Sequence, residues 1–149
     1  MPVSINGDGA MSGVTARTSN IFPNSVTAAV STNQTTTSAT FTDLATVGPT
    51  VTLITGTKAL VIISASIYNS GASGSEAGFV VSGASTLAAA SATALYMGGS
   101  NAVVSMGSSR IVLVTGLTSG SNTFTIKYRA GGGTANFYNR EITVIDMGS

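Results

Sequence analysis

The carboxylates of this chain are Asp8, Asp43, Glu76, Glu141 and Asp146, and its cations are Arg17, Lys58, Arg110, Lys127, Arg129 and Arg140. Histidine, cysteine and tryptophan are absent. Imidazole proton transfer, thiolate attack and Cys/His zinc binding therefore have no side chain to run on. Carboxylate chemistry is what remains. Glycoside hydrolysis needs two carboxyls held roughly 5–9.5 Å apart across a cleft, and Asp43 with Glu141 make such a pair only if their strands meet. Scattered carboxylates of this kind more often sit in solvent or pair at the surface with a neighbour such as Arg140 or Lys58, contributing little. The chain reads as non-enzymatic. Asn6-Gly7-Asp8-Gly9 offers oxygens to a hard cation, but a calcium loop needs several acids at fixed spacing, and only Asp8 is present. The four residues read instead as a hairpin turn, whose positive-φ positions Asn-Gly and Asp-Gly accept. No metal and no cofactor is expected.

Two further sets of residues suit binding. Tyr68 and Tyr138 flank turns, where an aromatic face beside Asn and Thr donors is a usual way for a β-sandwich to hold a glycan. Asn69, which opens the Gly/Ser-rich segment 69–77, and the tip 130–134 are the places where a partner would be met, because loops carry recognition. Tyr128 alternates with Phe124 and Ile126 and belongs to the core. Arg17 and Arg110 stand out because charge is so scarce, and a guanidinium suits an interface with a carboxylate on another protein.

Across the whole chain 7% of residues are charged, against about a quarter in ordinary soluble domains. The exposed surface must therefore be built from Ser, Thr, Asn and Gly. A net charge of +1 with no basic run leaves no footprint for nucleic acid. The same neutrality favours association, which suits a subunit that lives in an assembly. With no cysteine, stability must come from burial and the β ladder. The stretch MPVSINGDGAMSGV lacks the basic and long apolar regions of a signal peptide. The apolar run 59–63 is too short to cross a bilayer, so no membrane insertion is expected.

At 149 residues the chain suits one domain with a short arm. Residues 1–35 differ from the rest: two short strands around the Asn6–Gly9 turn, then a polar, weakly patterned stretch in which Pro23 opposes a regular central strand. They read as an extended N-terminal arm carrying a short hairpin. Residues 36–149 read as the sandwich. Strands are expected at 39–45, 51–54, 58–68, 79–82, 101–106, 110–115, 122–129 and 134–145, with turns every 8 to 12 residues. In the 58–68 run, Ala59, Val61, Ile63, Ala65 and Ile67 form one face, while Leu60 and Ile62 keep the other apolar in the middle. A strand apolar on both sides sits centrally or faces a neighbouring subunit. In the 122–129 run Phe124, Ile126 and Tyr128 point inward. Phe137 and Ile142 differ in parity, so burying both requires a bulge near 138–140. The Ala-rich segment 85–97 reads as β or coil. The fold class is all-β, an antiparallel, jelly-roll-like sandwich of about eight strands.

Two segments, FTDLATVGPTVTLITGTKALVIISASIYNS and VTGLTSGSNTFTIKYRAGGGTANFYNREITVID, together resemble a β-rich module of tail-fibre, minor tail and other virion-surface proteins of tailed bacteriophages. The opening MPVSINGDGAMSGV is similar to the N-terminus of many such fibre proteins, a hairpin that attaches the chain to the particle. The resemblance implies a structural component on the virion surface, fibre- or decoration-type, with other virion proteins as partners and a homotrimeric or otherwise clustered state. It implies virion attachment through Ile5, Asn6, Gly7, Asp8 and Gly9, with Arg17 and Phe22 of the arm. The chain has no collagen-like or coiled shaft between arm and head, which departs from a long fibre and points toward a compact knob or a capsid decoration. A host-surface glycan is the remaining partner, through Tyr68, Tyr138 and Asn69.

Overall fold

Period-two alternation of β-branched and polar residues dictates the strands, and the sandwich follows from which parity is apolar. The structure, a computed structural model, describes residues 23–71, 73–99 and 105–149 and the backbone of 4–5 and 11–12. At the N-terminus β1 (Ser4–Ile5) and β2 (Met11–Ser12) pair antiparallel, Ile5 opposite Met11. The attachment residues Asn6, Gly7, Asp8, Gly9, Arg17 and Phe22 lie outside the described residues, as do 101–104 of the strand expected at 101–106.

Nine strands follow: β3 (Ser25–Val30), β4 (Gln34–Thr36), β5 (Thr50–Thr55), β6 (Lys58–Asn69), β7 (Ser75–Gly83), β8 (Leu95–Met97), β9 (Met106–Thr115), β10 (Gly120–Ala130) and β11 (Ala135–Gly148). They make two antiparallel sheets. One is ordered β3-β11-β6-β9, with β4 also on β11, and the other β5-β10-β7-β8. From β5 onward every connection except β7–β8 crosses between the two sheets, in the jelly-roll manner, which packs them face to face. The inward faces supply one core: Ala59, Val61, Ile63 and Ile67 from β6, Ile142 and Val144 from β11, Phe79 and Val81 from β7, and Phe124, Ile126 and Tyr128 from β10. Leu117 in the turn before β10 plugs one end.

The bulge required by parity is present. The β11–β6 register shifts between Tyr138 and Glu141, Asn139 takes φ 48°, and Phe137 and Ile142 are both fully buried. A one-residue slip of this kind reverses every side chain beyond it. It therefore turns Arg140 into the core rather than to the surface, where a carboxylate partner had been expected. Arg140 is wholly buried. Its Nη2 donates to Thr32 O (3.3 Å) and Gln34 Oε1 (3.0 Å), and its guanidinium lies 5.4 Å from the centre of the Tyr128 ring.

Three strand assignments are corrected. Residues 25–36, expected in the arm, pair with β11. Val26 and Ala28 alternate with Ser25 and Thr27 and pack against the core, and Pro23 precedes the strand instead of interrupting it. Residues 39–45 make no strand, only a bridge from Thr42 to Tyr128. There the hydroxyls of Thr36 and Ser38 accept from the Ser38 and Thr40 amides, a local alternative to a ladder. The loop expected over 69–78 is shorter, because β7 already begins at Ser75, where Glu76 sits opposite Arg129. Segment 85–97 contains a 3-10 turn at Ser91–Thr93 and then β8.

Two buried asparagines close opposite ends of β7. Asn122 Nδ2 donates to Thr55 Oγ1 (2.8 Å) and Thr118 O (3.0 Å), and its Oδ1 accepts from Ser85 N (2.8 Å). Asn69 Nδ2 donates to Ser75 Oγ and Gly132 O (3.0 Å each), and its Oδ1 accepts from Gly71 N (2.9 Å).

Candidate functional site

Because alternation fixes which parity is buried, it also fixes what each sheet shows to the outside. On β6 the outward residues are Lys58, Leu60, Ile62, Ser64, Ser66 and Tyr68, each flanked by buried neighbours. The register sets Leu60 opposite Leu113 and Ile62 opposite Ile111 on β9. On the other side it sets Leu60 opposite Ile145 and Ile62 opposite Thr143 on β11. Two adjacent rows therefore read Ile145-Leu60-Leu113 and Thr143-Ile62-Ile111, with Met147 beyond. Ile111 is 60% and Leu113 55% exposed, and Leu60, Ile62 and Ile145 are half-buried. These rows are an apolar patch on the open face of a sheet.

Beyond them the same face turns polar. The next rows carry Glu141-Ser64-Ser109 and Tyr138-Ser66-Gly107, beside a shallow groove of about 400 Å³ lined by Ser64, Ser66, Ser108, Ser109 and Asn139. Tyr68 stands opposite Asn136, and Tyr138 opposite Ser66. The two tyrosines are thus diagonal neighbours on adjacent strands, within reach of one ligand. Both are half-buried, and the Tyr138 hydroxyl is bonded to the Ser105 hydroxyl. Among the outward positions described on this sheet, only Lys58 and Glu141 are charged.

The opposite outer face, on β5-β10-β7, is built differently. Thr52 and Thr123 share a hydroxyl hydrogen bond of 2.8 Å, and Thr50 donates to Thr125 at 3.1 Å. Lys127 Nζ holds both Asp43 oxygens at 2.6 Å. Arg129 Nη2 meets Glu76 Oε1 at 2.5 Å and its guanidinium lies 5.3 Å from the Phe41 ring centre. Charge is therefore spent in pairs on one face, while the other is left almost neutral.

Asp43 lies on one outer face and Glu141 on the other, so they share no cleft. Asp146 Oδ1 accepts from the Gly56 and Gly148 amides, a loop-fixing role. Among the described residues no three of His, Cys, Asp and Glu come together as a metal site. Arg110 Nη2 donates to Ala92 O at 3.1 Å, tying β9 to the 3-10 turn. Tyr128 is core, its hydroxyl donating to Gly48 O at 2.8 Å. Asn69 is 3% exposed and its amide is committed to the three bonds above, so it has no open group for a partner. The apolar rows were only half legible: Leu60 and Ile62 stood out in the β6 run, whereas Ile111 and Leu113 did not. The signal for them was present, since 111–114 is apolar at both parities.

Fold and sheet order define this chain as a jelly-roll β-sandwich. Among solved structures it is similar to that of infectious bursal disease virus, Gx strain, at 12% identity over 85% of this chain and 33% of that one, with a TM-score of 0.58. It is also similar to the VP2 subviral particle of infectious bursal disease virus, at 13% identity over 83% and 33%, TM-score 0.52. The Eiger TNF structure from S. frugiperda is similar at 10% identity over 86% and 94%, TM-score 0.54. The chain spans about a third of the length of the two viral chains and nearly all of the Eiger chain. At these identities the likeness is one of fold. No protein-family model and no curated protein sequence matches the chain. Among the described residues no helix is long and apolar enough to cross a membrane.

Proposed function

We propose that this protein is a non-enzymatic structural component of a tailed-bacteriophage virion, fibre- or decoration-type, that works as a trimer on the particle surface. In this reading the segment before β3 provides attachment, and the sandwich, which takes in β3 and β4 through their pairing with β11, projects. The observation that carries it is the apolar, nearly charge-free outer face of the β3-β11-β6-β9 sheet. A lone soluble domain rarely leaves such a face in water, and an assembled subunit needs one. The resemblance of 41–70 and 114–146 to phage virion-surface modules supplies the particle.

The test is to purify particles, identify the chain in them and count it. A handful of copies assigns it to the tail, and tens to hundreds assign it to the head shell. Absence from particles refutes the proposal. A second reading, a glycan-binding adhesin, draws on the Tyr68–Tyr138 pair beside the serine-lined groove. Purified protein should then bind host envelope, and Tyr68→Ala or Tyr138→Ala should abolish that binding. A wild-type protein that binds no envelope fraction refutes it.

A further inference from the structure

From the rows Ile145-Leu60-Leu113 and Thr143-Ile62-Ile111 we infer that the apolar half of this face is the contact between copies of this chain. The inference deepens the assembly reading above by naming the surface it uses, and it commits the face to further copies of the same protein. Three observations select that occupant. Among the described outward positions the face carries only two charges, Lys58 and Glu141, opposite in sign and outside the two apolar rows. Identical faces therefore meet without a like-charge cluster to desolvate. The whole chain has a net charge of +1, so no long-range repulsion keeps copies apart. An acidic or basic partner, by contrast, would find no complementary field here.

Size points the same way. At about 3.4 Å per residue and 4.8 Å between strands, the whole face from Lys58 to Tyr68 across four strands covers on the order of 500 Å². Two copies meeting through it, with the apolar rows and the polar rows beside them, would bury on the order of 1,000 Å², at the lower limit of a specific pair interface. Ile111 and Leu113 lie on β9, the last strand of the sheet. A neighbouring copy can therefore reach them without a strand in the way.

The test uses the full chain. Light scattering should give a wild-type mass of two or more chains, and Ile111→Asp and Leu113→Asp should lower it to one chain while leaving the far-UV circular dichroism unchanged. Ile54→Asp, at an equally open apolar position on the other sheet (65% exposed), should leave the mass as it is. Because the chain has no cysteine, single Leu113→Cys and Ile54→Cys variants give a readout that does not depend on the aspartates folding. A short bis-maleimide should join copies through Leu113→Cys and not through Ile54→Cys. A wild-type chain that stays monomeric to high micromolar concentration overturns the inference and gives the face to the N-terminal segment or to another protein. Aspartate variants that keep the wild-type mass, or cross-linking confined to Ile54→Cys, overturn it too. A wild-type dimer whose Leu113→Asp variant is monomeric upholds the face and removes the trimer from the proposal above. Protein missing from particles removes the virion reading and leaves the face untouched.

Discussion

Replacing Asn122 by alanine should cost this protein about 3 kcal/mol, near the sum of its three good side-chain bonds at about 1 kcal/mol net each. The amide is fully buried and ties together three pieces of chain: the end of β5 at Thr55, the turn at Thr118 and the strand exit at Ser85. Truncation leaves the Ser85 amide and the Thr118 carbonyl without their partner. Stranded buried groups cost about 1–3 kcal/mol each, so about 3 kcal/mol is the lower end of the expected loss. The loss is a large share of a stability that is typically about 5–15 kcal/mol. Urea unfolding followed by far-UV circular dichroism measures it, since the chain lacks tryptophan. The midpoint should fall while the slope stays constant. Thr52→Val is the matched control. It removes a hydroxyl pair with Thr123 of the same 2.8 Å length, but on the outer face of the other sheet, where water replaces the partner, and it should change stability by less than about 0.5 kcal/mol. A loss below about 1 kcal/mol for Asn122→Ala, or equal losses for both variants, would refute the argument that burial sets the value of these bonds.

Other substitutions test other parts of the fold. Arg140 brings a full charge into the core with no carboxylate beside it, and its Nε and Nη1 have no partner. Arg140→Met keeps the packed stem without that charge and should be at least as stable as wild type, whereas Arg140→Ala should lose about 3 kcal/mol; thermal melts compare them. Gly83 has φ +102° and a β-carbon there would meet Ser121 O at 2.5 Å, while Gly116, at φ +75°, has nothing within 4 Å. Gly83→Ala should therefore cost clearly more than Gly116→Ala, which carries only backbone strain of about 1–2 kcal/mol; paired urea curves decide. Burial raises the Tyr128 hydroxyl well above the usual phenol range, and the nearby Arg140 guanidinium opposes the shift. The unfolded chain loses that proton near pH ~10 while the folded chain keeps it, so stability is complete below about pH 10 and declines above it. Tyr128→Phe should flatten that alkaline decline in the pH dependence of the melting temperature, leaving only the share due to other groups.

The sequence by itself determined the fold class and most of the core, because alternation is local. Ala59 to Ile67 and Phe124 to Tyr128 announce their buried face without reference to any other strand, and the parity conflict between Phe137 and Ile142 announces the bulge. It also excluded the chemistries that need histidine or cysteine. Tertiary structure decided what local pattern cannot carry. Pairing with β11 made strands of Ser25–Val30 and Gln34–Thr36, whose polar composition suggested an arm. The bulge, a matter of register between two strands, turned Arg140 inward, and no property of that residue alone could foretell it. Asn69 read as a surface donor until the loops at Ser75 and Gly132 closed over it. Asp43 and Glu141 are distant in sequence, and only the sheet order put them on opposite faces. The same order laid Leu60, Ile62, Ile111, Leu113 and Ile145 side by side, from strands separated by dozens of residues. A surface is a property of neighbouring strands, so scarcity of charge was visible in the chain, but its concentration on one face was not.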